Sequence, residues 1–261
     1  MKTLLTTTDT QGIATLTLNS PERHNAFDDQ LIADLTHALE RLDADPQVRV
    51  VVLAANGKSF SAGADLNWMR RMADYSAEEN LVDARALAEL MRVLNGLKKP
   101  TLALVQGAVY GGGVGLVACC DIAIATPRAK FCLSEVKLGL IPAAISPYVV
   151  EAIGTRAARR YFLTAEIFAA EEALRLGLLH DIVDEEELTA RGKAICQQIL
   201  QNGPQALAVA KKLIGTVGRR PVDSKMIEET AELIAGIRAS AEGKEGLGAF
   251  LEKRTPNWVK G

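Results

Sequence analysis

The chain has 261 residues, enough for one large domain, and 48% of them are hydrophobic, which can fill a real core. Thirty Lys and Arg nearly balance 32 Asp and Glu, so the formal net charge is -2 and no overall basic field draws in nucleic acid or an acidic membrane surface. No window approaches the roughly 18 apolar residues of a membrane span, and the opening "MKTLLTTTDTQG" lacks the apolar stretch of a signal peptide, so a cytoplasmic location is expected.

In chain order, "GIATLTLN" alternates apolar and polar residues from Ile13 to Leu18 and predicts a strand. "DDQLIADLTHALERLDAD" places Leu31, Ile32, Leu35, Leu39 and Leu42 on one helical face. "VRVVVLAA" from Val48 is nearly continuous Val and Leu and predicts a second strand, and a longer helix runs from about Ala77 to Leu97, ended by "KKP". "TLALVQG" and "DIAIA" repeat the strand pattern. Strand and helix alternate, so the class is α/β. From Arg156 onward helices dominate, including "TAEIFAAEEALRLG", "DEEELTARGKAICQQILQNG", "PQALAVAKKLIG" and one segment from Ser224 to about Lys253. Cys119, Cys120, Cys132 and Cys196 form no C-x-x-C pair and read as small core residues of a reducing compartment.

Chemistry concentrates at the glycines. In "VQGAVYGGGVGLVACCDIAIA", Gly111, Gly112, Gly113 and Gly115 separate a strand from a short helix, an arrangement that lets backbone N–H groups approach an anion. A dinucleotide reading, Gly113-x-Gly115-x-x-Ala118 with Glu135 as ribose partner, is disfavoured because Asp121 opens the next strand after barely two helical turns, where a crossover needs about ten to twelve residues. Close helix-to-strand packing is the purely structural alternative. A second loop, Ser61-Ala62-Gly63-Ala64, follows the strand at 48–54 and leads to Asp65, which can cap the next helix. If the two loops lie side by side, the N–H groups of Ala64 and Gly112 form an oxyanion hole.

Together "SPERHNAF", "SFSAGADLNWM", "QGAVYGGGVGLVACCDIAIA", "FCLSEVKLGLIP" and "FLEKRTPNW" resemble the enoyl-CoA hydratase/isomerase, or crotonase, superfamily over nearly the whole chain. The resemblance implies a spiral of ββα turns over residues 1–195 and a helical trimerisation region over 196–261, assembling as a homotrimer or a dimer of trimers. It implies an acyl-CoA thioester substrate whose carbonyl is held by the amides of Ala64 and Gly112, and Glu135 as acid and base. It places Arg23, His24, Ala26, Ala62, Asp65 and Leu66 along the CoA moiety, Gly111 and Gly115 at the acyl site, and Phe250 and Lys253 near the adenine of a neighbouring subunit's CoA, with no cofactor, since coenzyme A is part of the substrate.

Many hydratases of this family carry two glutamates, and here the position of the first is Gly115. That pattern resembles a branch of methylglutaconyl-CoA and isohexenylglutaconyl-CoA hydratases, implying hydration of a short branched or acidic 2-enoyl-CoA. A Δ3,Δ2-enoyl-CoA isomerase and a silent acyl-CoA-binding or RNA-binding homologue are the alternatives. A distal substrate carboxylate calls for a nearby cation or hydroxyl, for which Arg70, Arg71, Lys137 and Tyr148 are candidates, and Ser134, Ser146 or Tyr148 could place water in the space beside Gly115. No metal site is expected, because His24, His37 and His180 show no H-x-x-x-H spacing; His24 is expected beside the CoA groove.

Overall fold

The computed structural model describes residues 2–218 and 220–259. A six-stranded sheet in the order β1-β2-β3-β4-β6-β9 is built from β1 (Leu4–Thr8), β2 (Ile13–Leu18), β3 (Val50–Ala55), β4 (Thr101–Val105), β6 (Ile122–Ala125) and β9 (Asp181–Ile182). Only β1 runs antiparallel to its neighbour. A second sheet, β5-β7-β8, holds β5 (Ala108–Tyr110), β7 (Lys130–Cys132) and β8 (Phe168–Ala169). Each return from one sheet to the other is followed by a helix, giving an α/β spiral of ββα turns.

Both faces of the parallel sheet are covered, which explains why its strands read as unbroken apolar runs. Along β3, Val51 and Leu53 face a core shared with α1 (Asp29–Ala44), α3 (Ala77–Gly96), α4 (Gly112–Cys119) and α5 (Ser146–Thr164). The alternate residues Val50 and Val52 face Leu102, Ile124 and the apolar stripe Leu188, Ile195, Cys196, Ile199 and Leu200 of α7 (Leu188–Leu200). α7 therefore runs across the boundary expected at residue 195 and packs on the sheet on both sides of it. All four cysteines are free and buried. Among the described residues no helix is long and apolar enough to cross a membrane.

Some elements depart from the sequence reading. The helix expected over "TAEIFAAEEALRLG" is split: α5 ends at Thr164, β8 pairs with β7, and α6 (Ala170–Leu176) follows. The helix expected from Ser224 to Lys253 breaks at Ser240, whose extended backbone (ψ 160°) and hydroxyl, accepting from Gly243 N–H, end α9 (Ser224–Ala239) and cap α10 (Ala241–Leu251). A β-carbon on Gly243 would lie 2.1 Å from the Ile237 carbonyl oxygen, so the corner requires glycine. Propensity alone did not reveal it, because Ser and Gly also occur within helices.

Candidate active site

The site begins with a small knot of backbone. "SPERHN" makes one turn of 3-10 helix, Pro21–Arg23, and then places His24 and Asn25 at φ 52°, a left-handed conformation that Asn tolerates. Asn25 is 1% exposed. Its Oδ1 accepts from Ser20 N–H at 2.8 Å, and its Nδ2 donates to the carbonyls of Asn56 and Ser59 at 2.9 and 2.8 Å. That fixes the direction in which Phe27 leaves. Phe27 donates to the Gly63 carbonyl and accepts from Asp65 N–H, each at 2.7 Å, and the intervening Ala64 N–H points the other way.

The second loop is pinned to the first in parallel register. Ser61 donates to the Ala108 carbonyl at 3.1 Å and accepts from Tyr110 N–H at 2.8 Å. Three residues further along each strand stand Ala64 and Gly112. The Phe27 ring closes the arrangement, with Cε2 3.2 Å from where a β-carbon of Gly112 would sit. Gly112 is the first residue of α4, so its N–H lies outside the helical hydrogen-bond ladder and carries the positive end of the dipole. Among the described residues neither Ala64 N–H nor Gly112 N–H has a backbone partner.

Both amides open into one cavity of about 570 Å³, and Glu135 stands on its wall with Phe27, Trp68, Leu87 and the segment Gly139 to Ile145. Glu135 starts a 3-10 turn (Glu135–Leu138) just beyond β7, closed by Gly139 at φ 72° and by Leu140 N–H donating to the Glu135 carbonyl. Gly111 N–H donates to the Cys132 carbonyl at 3.0 Å, tying the glycine loop to this strand. Glu135 Oε1 lies 3.1 Å from the β-carbon position of Gly111, so Gly111 is the floor beneath the carboxyl. Oε2 is buried without a hydrogen-bond partner. Burial pushes the carboxyl above its ordinary value, a rise that a backbone hydrogen bond within the residue partly offsets. An unpartnered carboxyl oxygen in an apolar cavity is poised to take and return a proton.

Arg23, His24, Ala26, Ala62 and Asp65 come together beside Ala64, outside the cavity. Ala62 N–H donates to the His24 carbonyl, and His24 Nδ1 is 3.0 Å from Ser59 Oγ. Asp65 caps α2 (Leu66–Ala73) by accepting from Asn67 and Trp68 N–H, and Arg23 Nη1 reaches it at 3.3 Å. Burial alone would raise the Asp65 carboxyl, but the two amides and Arg23 outweigh it and hold it low. Leu66 is 69% exposed and off the cavity wall.

Four expectations need correction. Gly115 is not at the cavity surface and leaves no room for water: a β-carbon there would lie 2.2 Å from Ile145 Cγ2 and 3.2 Å from the Met91 methyl. An aliphatic side chain thus fills the place of the first glutamate. Tyr148 is turned toward the core and the surroundings of Cys119 and Arg92 rather than the cavity. Ser146 spends its hydroxyl on the Ala143 carbonyl at 2.8 Å. Of the proposed carboxylate partners, Arg70 donates to Asn67 and Arg71 pairs with Asp29; neither they nor Lys137 line the cavity. Apart from these four, Phe250, 80% exposed on α10, and Lys253 just beyond it lie off the cavity wall, which does not bear on a place near the adenine.

Three contributors escaped the sequence reading: Phe27, which touches both loops; Ile145, which replaces the missing acid; and Asp83, a carboxyl on the cavity wall accepting from the Trp68 indole at 3.1 Å. Phe27 carried a signal, since it closes "SPERHNAF". Asp83 did not, because it is one of several acids along a mostly exposed helix.

The model of the enoyl-CoA hydratase/isomerase family matches residues 8–261. An enoyl-CoA hydratase of Shewanella pealeana superposes with a TM-score of 0.96 at 50% identity, over 98% of this chain and 96% of that one. A crotonyl-CoA hydratase of Syntrophomonas wolfei is 33% identical, and a 2,3-dehydroadipyl-CoA hydratase of Escherichia coli 30% identical, each over 95% of this chain and 95% of its own length. The chain belongs to the enoyl-CoA hydratase/isomerase family.

Proposed function

We propose that the protein hydrates a short, branched 2-enoyl-CoA. The observation that carries this reading is the unpartnered Glu135 Oε2 on the wall of the cavity into which the free amides of Ala64 and Gly112 open. The two N–H groups hold the thioester oxygen, and negative charge that grows there during addition strengthens both bonds; one such donor lowers the barrier by about 3–4 kcal/mol. Glu135 takes a proton from water as its oxygen bonds to the β-carbon. The C2–C3 π electrons pass to the thioester oxygen as an enolate, and Glu135 then returns the proton to the α-carbon. A single carboxyl suffices for both transfers, and no cofactor beyond the CoA of the substrate is needed.

Arg23, His24, Ala26, Ala62, Asp65 and Leu66, beside the oxyanion amides, are suited to lie along the CoA. Exposed Ile214, Ile227 and Phe250 on the C-terminal helices, with Val222 between two of them, fit the contacts of a trimer, which would bring Phe250 and Lys253 to a neighbouring site. The acid-ended alternative, methylglutaconyl-CoA, would need a cation at the acyl end, and the described cavity wall holds no Lys or Arg.

One observation favours a second reading. Ile145 over Gly115 removes the second acid that many hydratases use, and moving a proton between C2 and C4 of a 3-enoyl-CoA needs one base and no ordered water. Ultraviolet absorbance of the conjugated thioester separates the two. Crotonyl-CoA or 3-methylcrotonyl-CoA losing its band supports hydration; a band appearing from 3-hexenoyl-CoA, with none lost from the 2-enoyl substrates, refutes it.

A further inference from the structure

The acyl end of the cavity has an electrostatic character that its apolar lining conceals. Four side chains on the wall carry polar atoms: Trp68, Asn80, Asp83 and Glu135. The Trp68 indole N–H is spent on Asp83 Oδ1 at 3.1 Å. Asn80 spends its amide N–H groups on the carbonyls of Tyr75 and Ser76, both at 3.1 Å, which leaves its oxygen. What these side chains offer an acyl group is therefore acceptors, two of them carboxyls. Arg71, whose charge acts on Asp83, is off the wall and paired with Asp29.

Asp83 is not a substitute for the missing catalytic acid. It lies eight residues before Met91, the α3 side chain that abuts Gly115, which is about 12 Å along the helix axis. That sets it apart from position 115, on the stretch of α3 where Asn80, Ala84 and Leu87 also line the cavity, fixed there by a tryptophan that is itself 4% exposed.

We propose that Asp83 sets the charge selectivity of the acyl cavity, admitting uncharged acyl chains and rejecting acyl thioesters that end in a carboxylate. The proposal rests on the reading that this cavity receives the acyl group of a CoA thioester. Its physics is a like charge in a partly desolvated space, together with removal of the one indole donor that could otherwise have held a substrate carboxylate. The partial burial that raises the Asp83 carboxyl opposes the Trp68 hydrogen bond that lowers it, and the first is larger. Introducing a second anion nearby works in the same unfavourable direction.

The test uses hexanoyl-CoA and adipyl-CoA, unreactive thioesters of equal chain length that differ by the terminal carboxylate. Because the CoA portion is common, its charge cancels in the ratio of the two dissociation constants measured by calorimetry. The native protein should bind adipyl-CoA at least about tenfold more weakly, a difference of about 1.4 kcal/mol. Asp83→Asn, which keeps an acceptor for Trp68 and adds an N–H donor, should shrink that ratio at least about fivefold through tighter adipyl-CoA binding. Should the variant not fold, raising the salt from about 0.05 to 0.5 M should shrink the native ratio. A native ratio near one, or a ratio that neither the variant nor salt alters, overturns the assignment. Hydration of 2-hexenoyl-CoA and 2,3-dehydroadipyl-CoA is measured in parallel. Loss of hydration for both with the binding ratio intact refutes the hydratase reading and supports Asp83 as the selectivity residue.

Discussion

Ile145 occupies the volume that Gly115 leaves empty, its Cγ2 only 2.2 Å from where the missing β-carbon would stand. The two residues are complementary in size, and this explains how the fold lacks an acid at position 115 without opening a hole. Ile145 is 2% exposed, and Met91 beside it is fully buried. Gly115→Ala should therefore overpack the core and cost about 1–3 kcal/mol in denaturant unfolding. Ile145→Ala, costly in the native background, should cost at least about 1 kcal/mol less when Gly115 is already Ala, because the truncation relieves the clash and the added methyl fills part of the cavity it leaves. Additive effects in the double-mutant cycle would show that the two side chains do not compete for that space.

Glu135→Gln preserves size and removes the titrating proton. Hydration should fall about 10²- to 10⁴-fold in kcat, while the dissociation constant for hexanoyl-CoA changes little. A variant with near-native turnover would take Glu135 out of the mechanism.

How much of this arrangement was legible in the sequence follows from which interactions are local. The four principal strands and α1 were readable because burial imposes a period of 2 or 3.6 on successive residues. The two-residue strands β8 and β9 were not, because pairing partners distant in sequence create them. The loops that carry Ala64 and Gly112 announced themselves through small residues between strand and helix. Asp83 and Ile145 did not, since one is an acid among acids and the other an aliphatic residue in an apolar stretch. Their meaning comes from Trp68 and Gly115, which the chain brings to them from 15 and 30 residues away.

The Glu135 carboxyl should also leave a signature in stability. Its value is raised in the folded protein by burial, so the folded state favours the protonated form. That contribution is fully present below the ordinary carboxyl value of about 4.3 and is lost as pH rises through the raised one. Glu135→Gln does not titrate. Relative to the native protein, its unfolding free energy should therefore increase between about pH 4 and pH 7. A difference independent of pH across that range would contradict the burial assigned to Oε2. The same rise moves the acid limb of kcat/KM above the pH at which an ordinary glutamate titrates.

Asn25 makes a structural prediction with a functional consequence. Its three hydrogen bonds satisfy buried backbone groups of Ser20 and Ser59 and a part-buried carbonyl of Asn56, and its positive φ is one that Ala adopts at a cost. Asn25→Ala should lower the unfolding free energy by about 3 kcal/mol. Hydration should drop as well, because the Phe27 strand that sets the direction of Ala64 N–H loses its anchor. Full activity in a destabilised Asn25→Ala protein would show that this knot does not set the oxyanion geometry.

The most direct measurement is a crystal structure with acetoacetyl-CoA, whose thioester oxygen stands where the enolate charge develops. That oxygen should lie about 2.7–3.1 Å from both Ala64 N and Gly112 N, with a Glu135 carboxyl oxygen facing the carbons next to the thioester. A thioester oxygen bonded elsewhere, or Glu135 directed away from those carbons, would contradict the account.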